Sequence, residues 1–313
     1  MTAAERRRAA GLAAAVTGLH VLGFFILLVL VVPRGFFGVG IGMTAYALGL
    51  RHAFDADHIA AIDNTTRRLM GNGRRPLSVG FSFSLGHSTI VLALALLFAV
   101  GARSLGFSAL HSGIGVSGTI VSGTFLYLIG ILNLGLLVGV VRAIRSGRWE
   151  DAARGPTGPM SRLTERLGRA IRAPWQMYPL GLLFGLGFDT ATEIALLFLA
   201  AGAAGLPFYA IVCLPILFAA GMSLLDTLDG AFMAFAYGWA LDRPVRRLYY
   251  NLTVTGLSAT VALAIGTLEL LSVAGVAEVD LEGVGYVVAG LFVATWALAL
   301  AVWRLGRIEE RWG

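Results

Sequence analysis

Long apolar segments dominate this chain, and they constrain its fold more than any other feature. Hydrophobic residues make up 57% of the 313 positions and charged residues only 13%, whereas a soluble domain carries about 25% charged residues. About 20 consecutive apolar residues can cross a bilayer as a helix. The sequence therefore predicts an all-α polytopic membrane protein with one transmembrane domain over residues 1–313. Its apolar segments lie at about 12–32, 37–63, 77–101, 115–141, 178–203, 208–240, 249–275 and 284–303.

The basic residues indicate how these eight segments are oriented. The chain contains no lysine, so all 24 basic residues are arginine. With the N-terminus in the cytoplasm, every arginine except Arg34, Arg51 and Arg103 falls on the cytoplasmic side. Cytoplasmic loops of membrane proteins carry such an excess of basic residues. We therefore expect eight transmembrane helices, with the N- and C-termini both cytoplasmic.

Missing residue types exclude several classes of function. A Walker A loop uses a lysine to reach the nucleotide phosphates, so we expect no ATP to be bound by this chain. The single cysteine, Cys213, excludes an internal disulfide and any site with several cysteine ligands. No His-Glu-x-x-His occurs, which argues against a membrane metalloprotease. The arginines lie at the ends of apolar segments, so nucleic acid is not an expected partner.

Two features organise the chain further. Residues 142–177 predict a cytoplasmic linker loop, because they contain Gly-Pro-Thr-Gly-Pro and a basic amphipathic stretch suited to anionic lipid. Phe54–Ala60 in the second segment loosely echoes Phe188–Ala195 in the fifth, which runs in the opposite direction. Helices 2–4 and 5–7 are therefore a candidate inverted repeat, an arrangement often found around a site at the bilayer midplane.

The second segment carries a concentration of ionisable side chains. Each charged residue at bilayer depth costs at least roughly 2.5–3.5 kcal/mol on insertion scales. Imidazole and carboxylate groups that converge in a membrane suit a divalent transition metal such as nickel, cobalt, zinc or manganese. We interpret the cluster as a metal site, the alternative being a structural polar network between helices. Its members are His52, Asp55, Asp57, His58 and, further along, Asp63.

Helical geometry limits which of these residues can share one ion. If His52 defines 0° on a regular helix, Asp57 lies near 140° and His58 near 240°. We therefore expect a break, kink or unwound turn between about Gly49 and Asp63, in a segment that is already rich in glycine. A straight helix would instead leave His52, Asp55 and possibly His58 as the ligating face.

More polar residues lie on other segments. His87 is a candidate metal ligand or relay, the alternative being a hydrogen-bonded core histidine, and His20 is a weaker candidate. Four carboxylates have no arginine on their own segments to neutralise them. They must bind a cation, share protons or face water, so we expect them to form the second half of a transport path or a proton relay. These acids are Asp189, Glu193, Asp226 and Asp229.

Four motifs together resemble the signatures of the nickel/cobalt transporter family of bacterial and fungal membranes. They occur in the expected order on four different segments and span most of the chain. Position 54, a valine or phenylalanine in that family, is a phenylalanine here, similar to members that accept both metals. The matching stretches are Arg51–Ile59, Leu85–Thr89, Phe188–Glu193 and Gly221–Asp229.

The resemblance implies an eight-helix permease for high-affinity uptake of Ni²⁺ or Co²⁺ across the bacterial cytoplasmic membrane. It also implies that His52, Asp57 and His58 are essential for transport. The metal would be a transported substrate, with no resident cofactor and no enzymatic step. Two alternatives stay open: an efflux protein of related architecture, and the membrane component of a multi-subunit transporter whose ATPase is another chain. The oligomeric state is not predicted.

Overall fold

The protein is helical throughout the part of the chain that can be described. The computed structural model describes residues 3–71, 73, 76–101, 107–147, 171–186, 193, 195–196, 199–200, 203, 206–241, 244–276 and 284–305. No strand occurs among these residues, which confirms the all-α prediction. The helices are α1 (Ala3–Phe25), α2 (Val39–His52), α3 (Ala56–Gly71), α4 (Val79–Gly101), α5 (Phe107–Arg145), α6 (Met177–Phe184), α7 (Phe208–Leu241), α8 (Pro244–Val273) and α9 (Val284–Leu305).

The helices agree with a multi-pass membrane protein. Within the described ranges, five helical stretches are long and apolar enough to cross a bilayer: Glu5–Arg34, Val79–Leu97, Ser122–Arg145, Phe208–Gly238 and Leu252–Val273. The first of these includes α1 and its extension through a π-helical turn, Ile26–Val31, and a 3-10 turn, Val32–Arg34.

Three of the eight predicted segments do not appear among these five. The second is divided into α2 and α3, and the apolar part of α9, Val284–Leu298, is shorter than the others. The fifth falls largely outside the described residues. The count of eight and the orientation of the termini therefore stay predictions, as do the inverted repeat and most of the 142–177 linker.

The second predicted segment contains the expected break. α2 ends at His52 and α3 begins at Ala56. The backbone N–H groups of residues 53–55 each donate to a carbonyl oxygen in the last turn of α2, at 2.8–3.3 Å. The predicted break between Gly49 and Asp63 is confirmed, and the turn itself satisfies these backbone donors, as a buried position requires.

The residues around the break explain why a new helix starts there. Asp55 immediately precedes α3, and its carbonyl oxygen accepts the N–H of Ile59 at 3.2 Å. Oδ1 of Asp57 accepts the N–H of His58 at 2.9 Å. Aspartate is favoured at and just inside a helix N-terminus, where its charge complements the helix dipole. The two acids of the motif thus help α3 to start.

The glycines of the second segment have a different role from the one expected. None lies between residues 53 and 55, so they do not cause the break. Gly49 instead lies against α7, where a Cβ atom would overlap the carbonyl oxygen of Phe218. Small residues allow such close approach of helices in a membrane. Gly49 therefore brings the end of α2 against α7.

α7 is central to the part of the bundle that surrounds the break. It packs against α1, α2, α3 and α4. A second group is formed by α5, which packs along α8, and by α9, which contacts both α3 and α8. α3 lies between the two groups, and 12 of its 16 residues are buried. The polar residues of the break are therefore enclosed by protein on several sides.

Candidate metal centre

Three histidines converge beside the break. His52 ends α2, His58 lies in the first turns of α3, and His87 lies within α4. One imidazole nitrogen from each falls within 4.8 Å of the others, and each residue is at most 2% exposed. The rings of His52 and His58 have centroids 4.6 Å apart. The break makes this possible, since on a straight helix the two side chains would point about 120° apart.

The closest nitrogen pair has the spacing of two neighbouring metal ligands. Nε2 of His52 lies 3.0 Å from Nε2 of His87. Two nitrogens that bind one ion at about 2.1 Å, at right angles to each other, are about 3 Å apart. Right-angled ligand pairs occur in octahedral and square-planar sites, the geometries of Ni²⁺ and of several other divalent metals. The spacing is that of a hydrogen bond between the two rings, and it also fits a cation shared by both nitrogens.

Asp55 lies beside one member of this pair. Nδ1 of His52 lies 2.6 Å from Oδ2 of Asp55, an ion-pair distance. The other nitrogen of the ring, Nε2, faces His87. Histidine ligands of metals commonly have a carboxylate beside their second ring nitrogen. Asp55 is thus placed beside the ring of His52, and its role as a metal ligand stays a prediction.

Glu193 adds a carboxylate to the same group. Its Oε1 lies 2.7 Å from Nε2 of His87 and 3.5 Å from Nε2 of His52, and the residue is fully buried. Two imidazoles and one carboxylate oxygen thereby meet within hydrogen-bonding or near-contact distance. Nitrogen and oxygen donors of this kind suit nickel, cobalt and zinc.

His58 faces a second carboxylate. Its Nδ1 lies 3.5 Å from Oδ2 of Asp226 on α7, and both residues are 0% exposed. Neither ring nitrogen of His58 and neither carboxylate oxygen of Asp226 has a hydrogen-bond partner among the described residues. Buried polar atoms normally find such partners. A cation bound between the two side chains would satisfy both.

Two of the remaining predicted site residues, Asp57 and Asp229, have other surroundings in the described chain. Asp57 uses Oδ1 to accept the N–H of His58, at the start of α3. Asp229, one turn beyond Asp226 on α7, has a buried Oδ2 without a hydrogen-bond partner in the described chain. Asp189 lies outside the described residues. Roles for these three in metal transfer stay predictions.

Comparison with known proteins identifies the family. A family model described as high-affinity nickel-transport protein matches residues 38–302. The chain belongs to this family. The match includes both halves of the broken helix and every candidate site residue except His20. The resemblance seen in the four sequence motifs is thereby confirmed.

Individual relatives of this nickel-transport family member are similar over nearly their full length. The nickel transporter NicT of Mycobacterium tuberculosis is 52% identical over 100% of this chain and 93% of its own. The nickel transporter NixA of Staphylococcus aureus is 44% identical, with 94% of each chain covered. The cobalt transport protein NhlF of Rhodococcus rhodochrous is 41% identical, over 96% of this chain and 93% of its own. No solved structure matches significantly.

The structure adds aromatic residues that the sequence analysis did not assign to the site. The ring of Phe83 meets that of His58 edge to face at 4.8 Å, and the ring of Phe218 lies 5.5 Å from that of His52. Both are fully buried. The sequence could have indicated both rings, because residues four or eight positions apart lie on the same face of a helix. Phe83 is four residues from His87, and Phe218 is eight residues from Asp226. These rings exclude water from the donor atoms.

Two polar residues near the motif belong to other networks. Asp63 accepts hydrogen bonds from the Tyr237 hydroxyl and, at 2.6 Å, from the Ser258 hydroxyl, so it ties α3 to α7 and α8. His20 bonds to the carbonyl oxygen of Val16 at 2.8 Å and to the Tyr46 hydroxyl at 3.2 Å. Both have the contacts of structural residues in the helix bundle.

Proposed function

We propose that this protein is a secondary permease for uptake of divalent nickel or cobalt across the bacterial cytoplasmic membrane. One observation carries the proposal: His52, His87 and Glu193 direct three donor atoms at one another in a buried, apolar helix bundle. The names of the relatives, two nickel transporters and a cobalt transport protein, support the same substrate class. Within this proposal the metal is the transported substrate and no enzymatic step is involved.

The proposed topology has eight membrane-spanning helices with both termini in the cytoplasm. The broken α2–α3 pair crosses as one segment, and α6 begins the fifth crossing. Arginine placement supports this arrangement, because almost all arginines then lie on the cytoplasmic side. The three-histidine group lies near the middle of the second crossing, since α2 has 14 residues and α3 has 16.

Two neighbouring donor groups suggest how an ion is passed along. The first is formed by His52, His87 and Glu193, and the second by His58 and Asp226. His58 lies within reach of both, because its ring is 4.6–4.8 Å from the other two histidine rings. Carboxylates in both groups offset the charge of a divalent ion at bilayer depth. Asp57, Asp189 and Asp229 are proposed to extend this route or to carry protons.

Membrane potential supplies enough driving force for such a route. A divalent ion that enters a negatively charged interior gains about 4.6 kcal/mol per 100 mV, which corresponds to roughly a thousandfold accumulation. Uptake therefore requires no nucleotide, in agreement with the absence of lysine from the chain. The same experiment tests proton coupling through the buried acids, because the pH gradient is varied separately from the potential.

The deciding experiment is metal uptake into proteoliposomes that contain only this chain. Accumulation of radioactive nickel or cobalt is measured at a set inside-negative potential, with the pH gradient varied separately. We expect accumulation that rises with the potential, and none in the His52→Ala protein. No accumulation under any gradient would contradict the permease proposal. Uptake that appears only with an added ATPase subunit would instead favour the multi-subunit alternative.

A further inference from the structure

α9 makes an unusually close contact with the break between α2 and α3. Gly285, in the first turn of α9, is buried, and a Cβ atom at this position would overlap the carbonyl oxygen of Phe54. Phe54 is the central residue of the three that form the break. Only glycine therefore allows α9 to meet the break at this distance.

The next residue of α9 holds the side chain of the same phenylalanine. The rings of Tyr286 and Phe54 have centroids 4.9 Å apart and an angle of 30° between their planes, close to an offset stack. Tyr286 is 49% exposed, so this contact is one of few constraints on its ring. Further along α9, Val288 and Phe292 belong to the same buried apolar cluster as Ala56, at the start of α3.

These contacts bear on the metal because the break sets the distance between two donors. His52 is the last residue of α2, and His58 is the third residue of α3. Any change in the backbone torsions of residues 53–55 moves one imidazole relative to the other. Ni²⁺ and Co²⁺ differ in preferred geometry and in intrinsic affinity for the same donors. The conformation of the break therefore affects which metal fits better.

We propose that Gly285 and Tyr286 are positioning residues that fix the break and thereby set the preference between nickel and cobalt. They act through Phe54 and do not touch the ion. This inference rests on the proposed function, because it assumes that His52 and His58 both bind the transported metal. It assigns a role in selectivity to α9, which carries none of the four signature motifs.

The test compares matched variants on α9. Gly285→Ala introduces a methyl group against the Phe54 carbonyl, whereas Gly290→Ala introduces one where no atom lies within 4 Å. Tyr286→Ala removes the stacked ring, Tyr286→Phe keeps it, and Val287→Ala truncates a neighbouring exposed side chain. For each full-length protein, the ratio of nickel to cobalt affinity is measured by equilibrium dialysis, and the ratio of uptake rates is measured in proteoliposomes.

We expect Gly285→Ala and Tyr286→Ala to change both ratios by about fivefold, and Tyr286→Phe, Gly290→Ala and Val287→Ala to leave them unchanged. If Gly285→Ala does not fold, the two Tyr286 variants decide the question, because this half-exposed ring is not required by the core. An equal loss of affinity for nickel and cobalt in Tyr286→Ala would overturn the proposal. A change in the two ratios that is as large in Tyr286→Phe as in Tyr286→Ala would overturn it as well. Failure of the parent protein to bind or carry either metal would instead overturn the proposed function and this inference with it.

Discussion

His52 and Asp55 are joined across the break, with Nδ1 of the histidine 2.6 Å from Oδ2 of the aspartate. This contact links the last residue of α2 to the residue that immediately precedes α3. The other nitrogen of the same ring, Nε2, faces His87, 3.0 Å away. A single carboxylate therefore lies at the bend of the backbone and beside a candidate metal donor, where it can orient the ring.

Replacement of Asp55 is expected to weaken metal binding without abolishing it. Loss of a carboxylate that orients a histidine ligand typically costs 10–100-fold in metal affinity. We expect about this loss in nickel affinity for Asp55→Ala and a smaller one for Asp55→Asn, whose amide oxygen still accepts a hydrogen bond. Equilibrium dialysis on the purified protein measures the effect. Unchanged affinity in Asp55→Ala would show that His52 needs no such partner.

Removal of any one histidine of the group is expected to abolish metal accumulation. His52→Ala, His58→Ala and His87→Ala each delete one of the few nitrogen donors in the bilayer, and Asp57→Ala is expected to have the same result. His20→Ala serves as the control, because His20 hydrogen-bonds elsewhere. Uptake per inserted protein is measured in cells. Near-normal uptake by any two of the histidine variants would disprove this site.

Replacement of Glu193 and replacement of Asp226 are expected to affect nickel binding and nickel transport differently. Glu193→Gln should weaken nickel binding, because Oε1 lies within 3.5 Å of two imidazole nitrogens. Asp226→Asn should slow transport more than it weakens binding, since Asp226 contacts only His58 of the group. Asp189→Asn is expected to behave similarly to Asp226→Asn. Initial uptake rates at saturating nickel, compared with dialysis affinities, separate the two effects. Parallel losses in both quantities for Asp226→Asn would contradict the prediction.

Gly49→Ala is expected to destabilise the bundle. The added methyl group would overlap the Phe218 carbonyl, and overpacking of this kind costs about 1–3 kcal/mol. Gly40→Ala, in the same helix but with no atom near its Cβ position, is the matched control. We expect it to be neutral or slightly stabilising, because alanine favours a helix over glycine. Thermal unfolding in detergent compares the two, and equal melting temperatures would contradict the close-packing role.

Tyr237→Phe is expected to destabilise the protein by removing a hydrogen bond to buried Asp63. A buried acceptor that loses a partner costs about 1–3 kcal/mol. Tyr178→Phe is the control, since its hydroxyl meets that of Thr89 at an exposed position. The melting temperatures of the two variants, measured side by side, check the difference. A larger effect at Tyr178 than at Tyr237 would be inconsistent with an anchoring role for Asp63.

Much of the site was predictable because charge in an apolar segment is so costly. That argument selected His52, Asp55, Asp57, His58 and Asp63 without any structure, and helical geometry required a break between the two histidines. Asp63 instead accepts hydrogen bonds from Tyr237 and Ser258, away from the histidines. Asp57 was different, because only its position in the first turn of α3 shows that it accepts a backbone N–H. Sequence spacing cannot distinguish a metal ligand from a residue that caps a helix.

Contacts between distant segments were not predictable. His87 and Glu193 lie 106 residues apart, and only the packing of their helices brings them together. The glycines of the second segment appeared to be interruptions, whereas Gly49 allows close packing. The contact of α9 with Phe54 had no sequence signal, since more than 200 residues separate Phe54 from Gly285 and Tyr286 in the chain.

α7 contacts both halves of the broken helix. Its Phe218 backbone lies against Gly49 of α2, and eight residues further on Asp226 faces His58 of α3, about 12 Å away along the same axis. α7 is therefore a common reference for the positions of both halves. If one half tilts against α7 while the other stays in place, we expect the buried donor atoms to become open to one side of the membrane only.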